Sequence, residues 1–77
     1  MNEFLHFFDE KAKSVPMHFE LYYSKTIDWR LQIWRKGTGP EGKDELICSC
    51  QDVDLDFVFA IAQIELKQWF RDHMGGY

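Results

Sequence analysis

Apolar residues recur along this chain with two different periods. Between residues 2 and 13, Phe4, Leu5, Phe7, Phe8 and Ala12 fall three and four apart, the spacing that gathers side chains into one stripe of an α-helix. Asn2 stands where it can cap that helix, and Ser14-Val15-Pro16 ends it, because proline drives the preceding residue out of helical dihedrals. So short a helix is marginal alone and must dock on something. At Met17 the period changes to two. Met17, Phe19, Leu21 and Tyr23 alternate with His18, Glu20, Tyr22 and Ser24, which predicts a half-buried strand over 17–24. Lys25-Thr26-Ile27 reads as a turn. Trp29, Leu31 and Ile33 then alternate with Arg30, Gln32 and Trp34 in a second strand over 28–36. The glycine-rich stretch GTGPEGKD is a loop. A third strand over 45–51 points Leu46, Cys48 and Cys50 inward and Glu45, Ile47, Ser49 and Gln51 outward.

From 53 to 72 the helical period returns. Leu55, Val58, Phe59, Ala62, Leu66, Trp69 and Phe70 fall within one arc and are assigned to the core. Phe57, Ile61 and Ile64 form a second apolar stripe on another side, more than a lone surface helix needs. The N-terminal helix is the expected cover for it, with a homodimer contact or a partner's groove as the alternatives. Residues 73–77 read as a frayed tail. Strands this close in sequence favour an antiparallel meander. The fold class is therefore α+β: a three-stranded antiparallel sheet with both helices packed on one face, in the order α-β-β-β-α, over a single domain, 1–77.

Seventy-seven residues bury only roughly 60% of the surface that the unfolded chain exposes, so stability is thin. An apolar fraction of 45% and an aromatic fraction of 17% nonetheless exclude a disordered polypeptide. The net charge of −4 is uneven: Lys25, Arg30, Arg35 and Lys36 lie in the sheet region, whereas Asp52, Asp54, Asp56, Glu65 and Asp72 outnumber Lys67 and Arg71 in the last third. That distribution argues against general binding to a phosphate backbone. MNEFLHFF carries an acid where a signal peptide carries basic residues, and no segment reaches the roughly 20 apolar residues of a membrane span, so a cytosolic location is expected.

Asp52, Asp54 and Asp56 precede the most apolar stretch of the chain. An EF-hand needs glycine at its sixth position and glutamate at its twelfth, where Phe57 and Gln63 stand. Residues two apart do not share a helix face, which also disfavours a carboxylate cluster. Capping of the helix entrance is the simpler role. With Glu41, Asp44 and Glu45 the three could extend into an acidic patch that imitates nucleic-acid phosphates, if the last hairpin folds beside the helix entrance.

Alternation assigns His18, Tyr22, Arg30, Gln32, Trp34 and Ile47, with Glu20, Glu45 and Gln51, to the sheet face away from the helices. Tyr, Trp and Arg are enriched in protein-binding hot spots, and exposed aromatic rings also stack nucleic-acid bases. The negative net charge favours a protein partner; Tyr22, Arg30, Gln32, Trp34 and Ile47 are the candidate contact residues. Cross-strand pairing that only stabilises the sheet is the alternative.

No catalytic residues are assigned. His6, His18 and His73 sit in separate elements, and no serine or cysteine has a recognisable nucleophile setting. Cys48 and Cys50, a single pair that is no secreted disulfide framework, are expected as reduced buried thiols; because structural zinc sites want four ligands at paired spacings, neither a metal nor another cofactor is expected. The loop GTGPEG lacks the Lys-Ser/Thr of a phosphate loop.

The helix, three strands, helix order resembles that of double-stranded-RNA-binding domains over nearly the whole chain. Those domains bind through lysines at the start of the second helix, where this chain has Asp54, Leu55, Asp56 and Phe57, so RNA binding is not carried over. In size, acidity and element order the chain also resembles small anti-CRISPR proteins of phages and mobile elements. That likeness implies a non-enzymatic inhibitor or accessory protein that acts by binding another protein.

Overall fold

The computed structural model describes residues 2–26, 28–37 and 40–76. Asn2 caps the first helix by accepting a hydrogen bond from the Leu5 N–H at 3.1 Å, and the helix α1 runs Glu3–Ala12. Three strands follow, β1 (Met17–Ser24), β2 (Asp28–Arg35) and β3 (Glu45–Asp52), then the long helix α2 (Leu55–Met74). A short 3-10 turn, Pro40–Gly42, lies between β2 and β3. Ile27 of the expected turn, Thr38 and Gly39 of the expected loop, and Tyr77 of the tail lie outside the described residues. The β1–β2 connection has no glycine, and Asp28 takes the left-handed conformation in its place, with φ of 63°; Asp is among the few residues that tolerate it.

Both strand pairs are antiparallel and β2 is central, the meander that the pattern predicts. Leu31 and Ile33 of β2 are sealed from solvent, together with Val58, Ala62 and Leu66 of α2, which lies over β2 and β3. Helix α1 completes the layer with aromatic rings. Phe4 packs between Phe19 of β1 and Phe59 of α2, each ring centroid 5.6 Å away, and Phe7 meets Phe70 edge-on at 6.4 Å. Both helices therefore cover the same face of the sheet.

Three expectations change. Residues 73 and 74 belong to α2, which ends in a left-handed cap at Gly75 with φ of 76° rather than in a frayed tail; the Gly75 and Gly76 N–H groups both donate to the Phe70 carbonyl, satisfying a carbonyl that the helix end would otherwise leave unpaired. Leu21 and Tyr23 share the helix-facing side of β1 yet stay exposed, because α1 reaches that strand through Phe4 and Phe8 on Phe19. The third change lies in β3. Ile33 pairs with Cys48 but Trp34 pairs with Leu46, so Ile47 is an extra residue, a β-bulge. One extra residue reverses the alternation beyond it. Ile47 is packed against the core, while Leu46 joins Trp34 on the opposite face. No helix among the described residues is long and apolar enough to cross a membrane.

Candidate functional site

The uncovered face of the sheet is built from three cross-strand rows. Tyr22, Arg30 and Gln51 form the first, Glu20, Gln32 and Ser49 the second, and His18, Trp34 and Leu46 the third. Side chains within rows pack on one another. The Arg30 guanidinium lies over the Tyr22 ring at 5.4 Å, and the His18 and Trp34 rings stack with centroids 6.3 Å apart. Tyr22 and Leu46 keep 49% and 45% of their surface exposed. The Trp34 indole N–H and the Arg30 Nε are shielded from solvent and have no acceptor among the described residues. Buried polar atoms normally find partners; His18 Nδ1 on this face and Arg35 Nε on the helix side are unsatisfied as well. Asp44 borders the third row, its carboxylate 3.6 Å from His18 Nδ1, an ion-pair distance and too long for a hydrogen bond.

Of the residues expected on this face, Tyr22, Arg30, Gln32 and Trp34 share it. Ile47 does not: the bulge turns it into the core and Leu46 takes its place beside Trp34. The same shift takes Glu45 off this face and sets it opposite Arg35.

The acidic residues fall into two groups. Asp54 caps α2 by accepting the Asp56 and Phe57 N–H groups at 3.0 and 3.4 Å, and Asp52 accepts the Asp54 N–H at 2.9 Å. Glu41, Asp44 and Glu45 sit at the other end of β3, whose eight residues span about 23 Å. Asp44 also accepts the Gly37 N–H at 3.2 Å, fixing the loop. Because β3 separates the hairpin from the helix entrance, a continuous patch of Glu41, Asp44, Glu45, Asp52, Asp54 and Asp56 does not form.

The second stripe of α2 is also divided. Ile61 packs against the core, whereas Phe57 and Ile64 are 51% and 62% exposed. Helix α1 meets α2 through Phe59 and Phe70 instead, so it is not the cover that the spacing predicts.

A further cluster lies between β3 and α2. Cys48 and Cys50 point to the helix side of their strand, and Glu65 reaches them from one turn of α2. The Cys50 thiol donates to Glu65 Oε2 at 3.4 Å, and the two sulfurs and the carboxylate oxygen all lie within 4.8 Å of one another. A hydrogen bond with the Cys50 thiol, followed by burial and the charge of Glu65, pushes the Cys48 thiol far above its ordinary range, so it stays protonated at neutral pH. Glu65 is the residue that sequence reasoning missed. Its distance of fifteen positions from Cys50 carries no motif, and only the packing of α2 on β3 unites them. Cys48 and Glu65, but not Cys50, line an open cleft of about 340 Å³ together with Ser49, Gln68, Trp69, Asp72 and His73. His73 stacks on Trp69 at 4.8 Å and its Nδ1 lies 3.0 Å from the Trp69 carbonyl oxygen.

No protein-family model matches the chain, and no curated protein or solved structure shows a significant similarity to it.

Proposed function

We propose that this protein is a non-enzymatic binding module that engages a protein partner through the open face of its sheet. The observation that carries the reading is the uncovered outer face of the sheet, where the row of Tyr22 and Arg30 and the row of His18, Trp34 and Leu46 flank the polar row of Glu20, Gln32 and Ser49, with Tyr22 and Leu46 about half exposed. Hot spots concentrate Trp, Tyr and Arg at the centre of an interface, where a partner excludes water. Glu20 in the middle row and Asp44 beside the third, with a net charge of −4, disfavour a phosphate backbone on the same surface. The size, acidity and element order shared with small phage inhibitors support an inhibitory or accessory role, and with it a cytosolic setting.

Affinity capture from bacterial lysate, followed by titration of the purified partner, tests this reading. Tyr22→Ala with Trp34→Ala is expected to weaken binding by a factor of about 30 or more, as the loss of two hot-spot side chains requires. Phe57→Ala with Ile64→Ala, on the helix side, serves as the control and leaves affinity unchanged. Equal binding by wild type and the sheet-face variant contradicts the proposal. So does tight binding of single- or double-stranded oligonucleotides in fluorescence anisotropy with no protein captured.

A further inference from the structure

We infer that Cys48, Cys50 and Glu65 form a binding site for a thiophilic divalent cation of the zinc class, with a fourth coordination position open to the adjoining cleft. The site lies on the helix side of the sheet and is independent of the proposed partner surface.

The strand sets the two sulfurs. Residues two apart share a face, and the bulge precedes Cys48, so neither cysteine is displaced from the helix side. The helix sets the oxygen. Glu65 stands three residues after Ala62 and four before Trp69, both buried, which brings its half-buried side chain to β3. Buried thiols alone are ordinary small apolar side chains. A half-buried carboxylate held against two of them is not needed by an apolar core.

The geometry suits a tetrahedral ion. Zinc–sulfur bonds of about 2.3 Å and zinc–oxygen bonds of about 2.0–2.2 Å place donor atoms roughly 3.5–3.8 Å apart. The Cys50 sulfur and Glu65 oxygen are already 3.4 Å apart, and no pair among the three donors exceeds 4.8 Å. Closing the remaining gap, about 1 Å at most, needs only side-chain rotation. Two sulfurs select a soft or borderline metal over magnesium or calcium, and the carboxylate favours a divalent ion. On binding, each thiol gives its proton to solvent as its sulfur takes the metal. Three protein ligands leave one position for water or an exchangeable group, the arrangement of an open site rather than a closed structural one.

The test is titration of the whole reduced protein, freed of metal, with cobalt(II) as spectroscopic probe and then with zinc. One equivalent of cobalt is expected to give thiolate-to-metal charge-transfer absorption with the ligand-field bands of a four-coordinate site, and zinc is expected to bleach both. Glu65→Gln keeps the shape of the side chain and is expected to weaken zinc binding by more than about tenfold, the lower bound set by what even outer-shell partners contribute. Cys50→Ser is expected to abolish the charge-transfer band while circular dichroism keeps the native spectrum. Folded wild-type protein that develops no charge-transfer band with excess cobalt overturns the inference. Binding that survives both substitutions unchanged overturns it equally, since the ion then sits elsewhere.

Discussion

Asp54 accepts two backbone N–H groups at the start of α2 and Asp52 accepts a third, so two carboxylates of the opening acidic run already serve the helix entrance. Asp54→Ala is expected to lower stability by about 1 kcal/mol in urea unfolding, the usual cost of losing a cap; an unchanged midpoint contradicts that role. This much was legible in the sequence, because a cap acts on residues two and three positions away and leaves a local signature. The thiol and carboxylate cluster was not legible. Its members meet through tertiary packing, and glutamate on a helix is too common to announce that it faces two cysteines. Trp34 lies between these cases: period-two alternation placed it on the outer face, but its unpaired indole N–H is visible only once the neighbouring strands are in register.

Among the elements, β3 departs most from its sequence pattern. Leu46 and Cys48 have the period of a single strand face, and no glycine or proline between them marks a bulge. The extra residue at Ile47 nonetheless reverses the faces on its N-terminal side, exchanging Leu46 and Ile47 between solvent and core. Ile47→Ser is therefore expected to destabilise the fold by about 1–3 kcal/mol, as loss of core packing does, and Leu46→Ser by less than about 0.5 kcal/mol. Thermal or urea unfolding of the two variants decides it, and equal losses contradict the bulge. The helices show a similar division. Their existence and stripes follow from the 3.6-residue period, whereas the side of α2 that α1 covers depends on how Phe4 fits between Phe19 and Phe59. Periodicity carries no information about that fit.

For the whole molecule, the two helices close one side of the sheet and leave the other open, as the order of elements and their apolar stripes foretold. The exposed part of the second stripe is small. With Ile61 turned to the core, Phe57 and Ile64 cannot supply the roughly 1,200 Å² of total buried surface at the low end of stable interfaces. Sedimentation velocity at micromolar concentration is accordingly expected to show a monomer, and Ile64→Glu to leave its sedimentation coefficient unchanged. A dimer that Ile64→Glu dissociates would move the contact role from the sheet to that stripe. The central claim concerns the opposite surface, and the chain's three tryptophans report on it directly. Trp34 lies on the outer face, while Trp29 and Trp69 lie on the helix side. Proton–nitrogen correlation spectra of isotope-labelled protein resolve their three indole N–H signals during titration with the captured partner. The expected result is a saturating shift of the Trp34 indole signal with the Trp69 signal stationary; a stationary Trp34 signal at saturation, with Trp69 shifted instead, contradicts the assignment of the open sheet face as the binding surface.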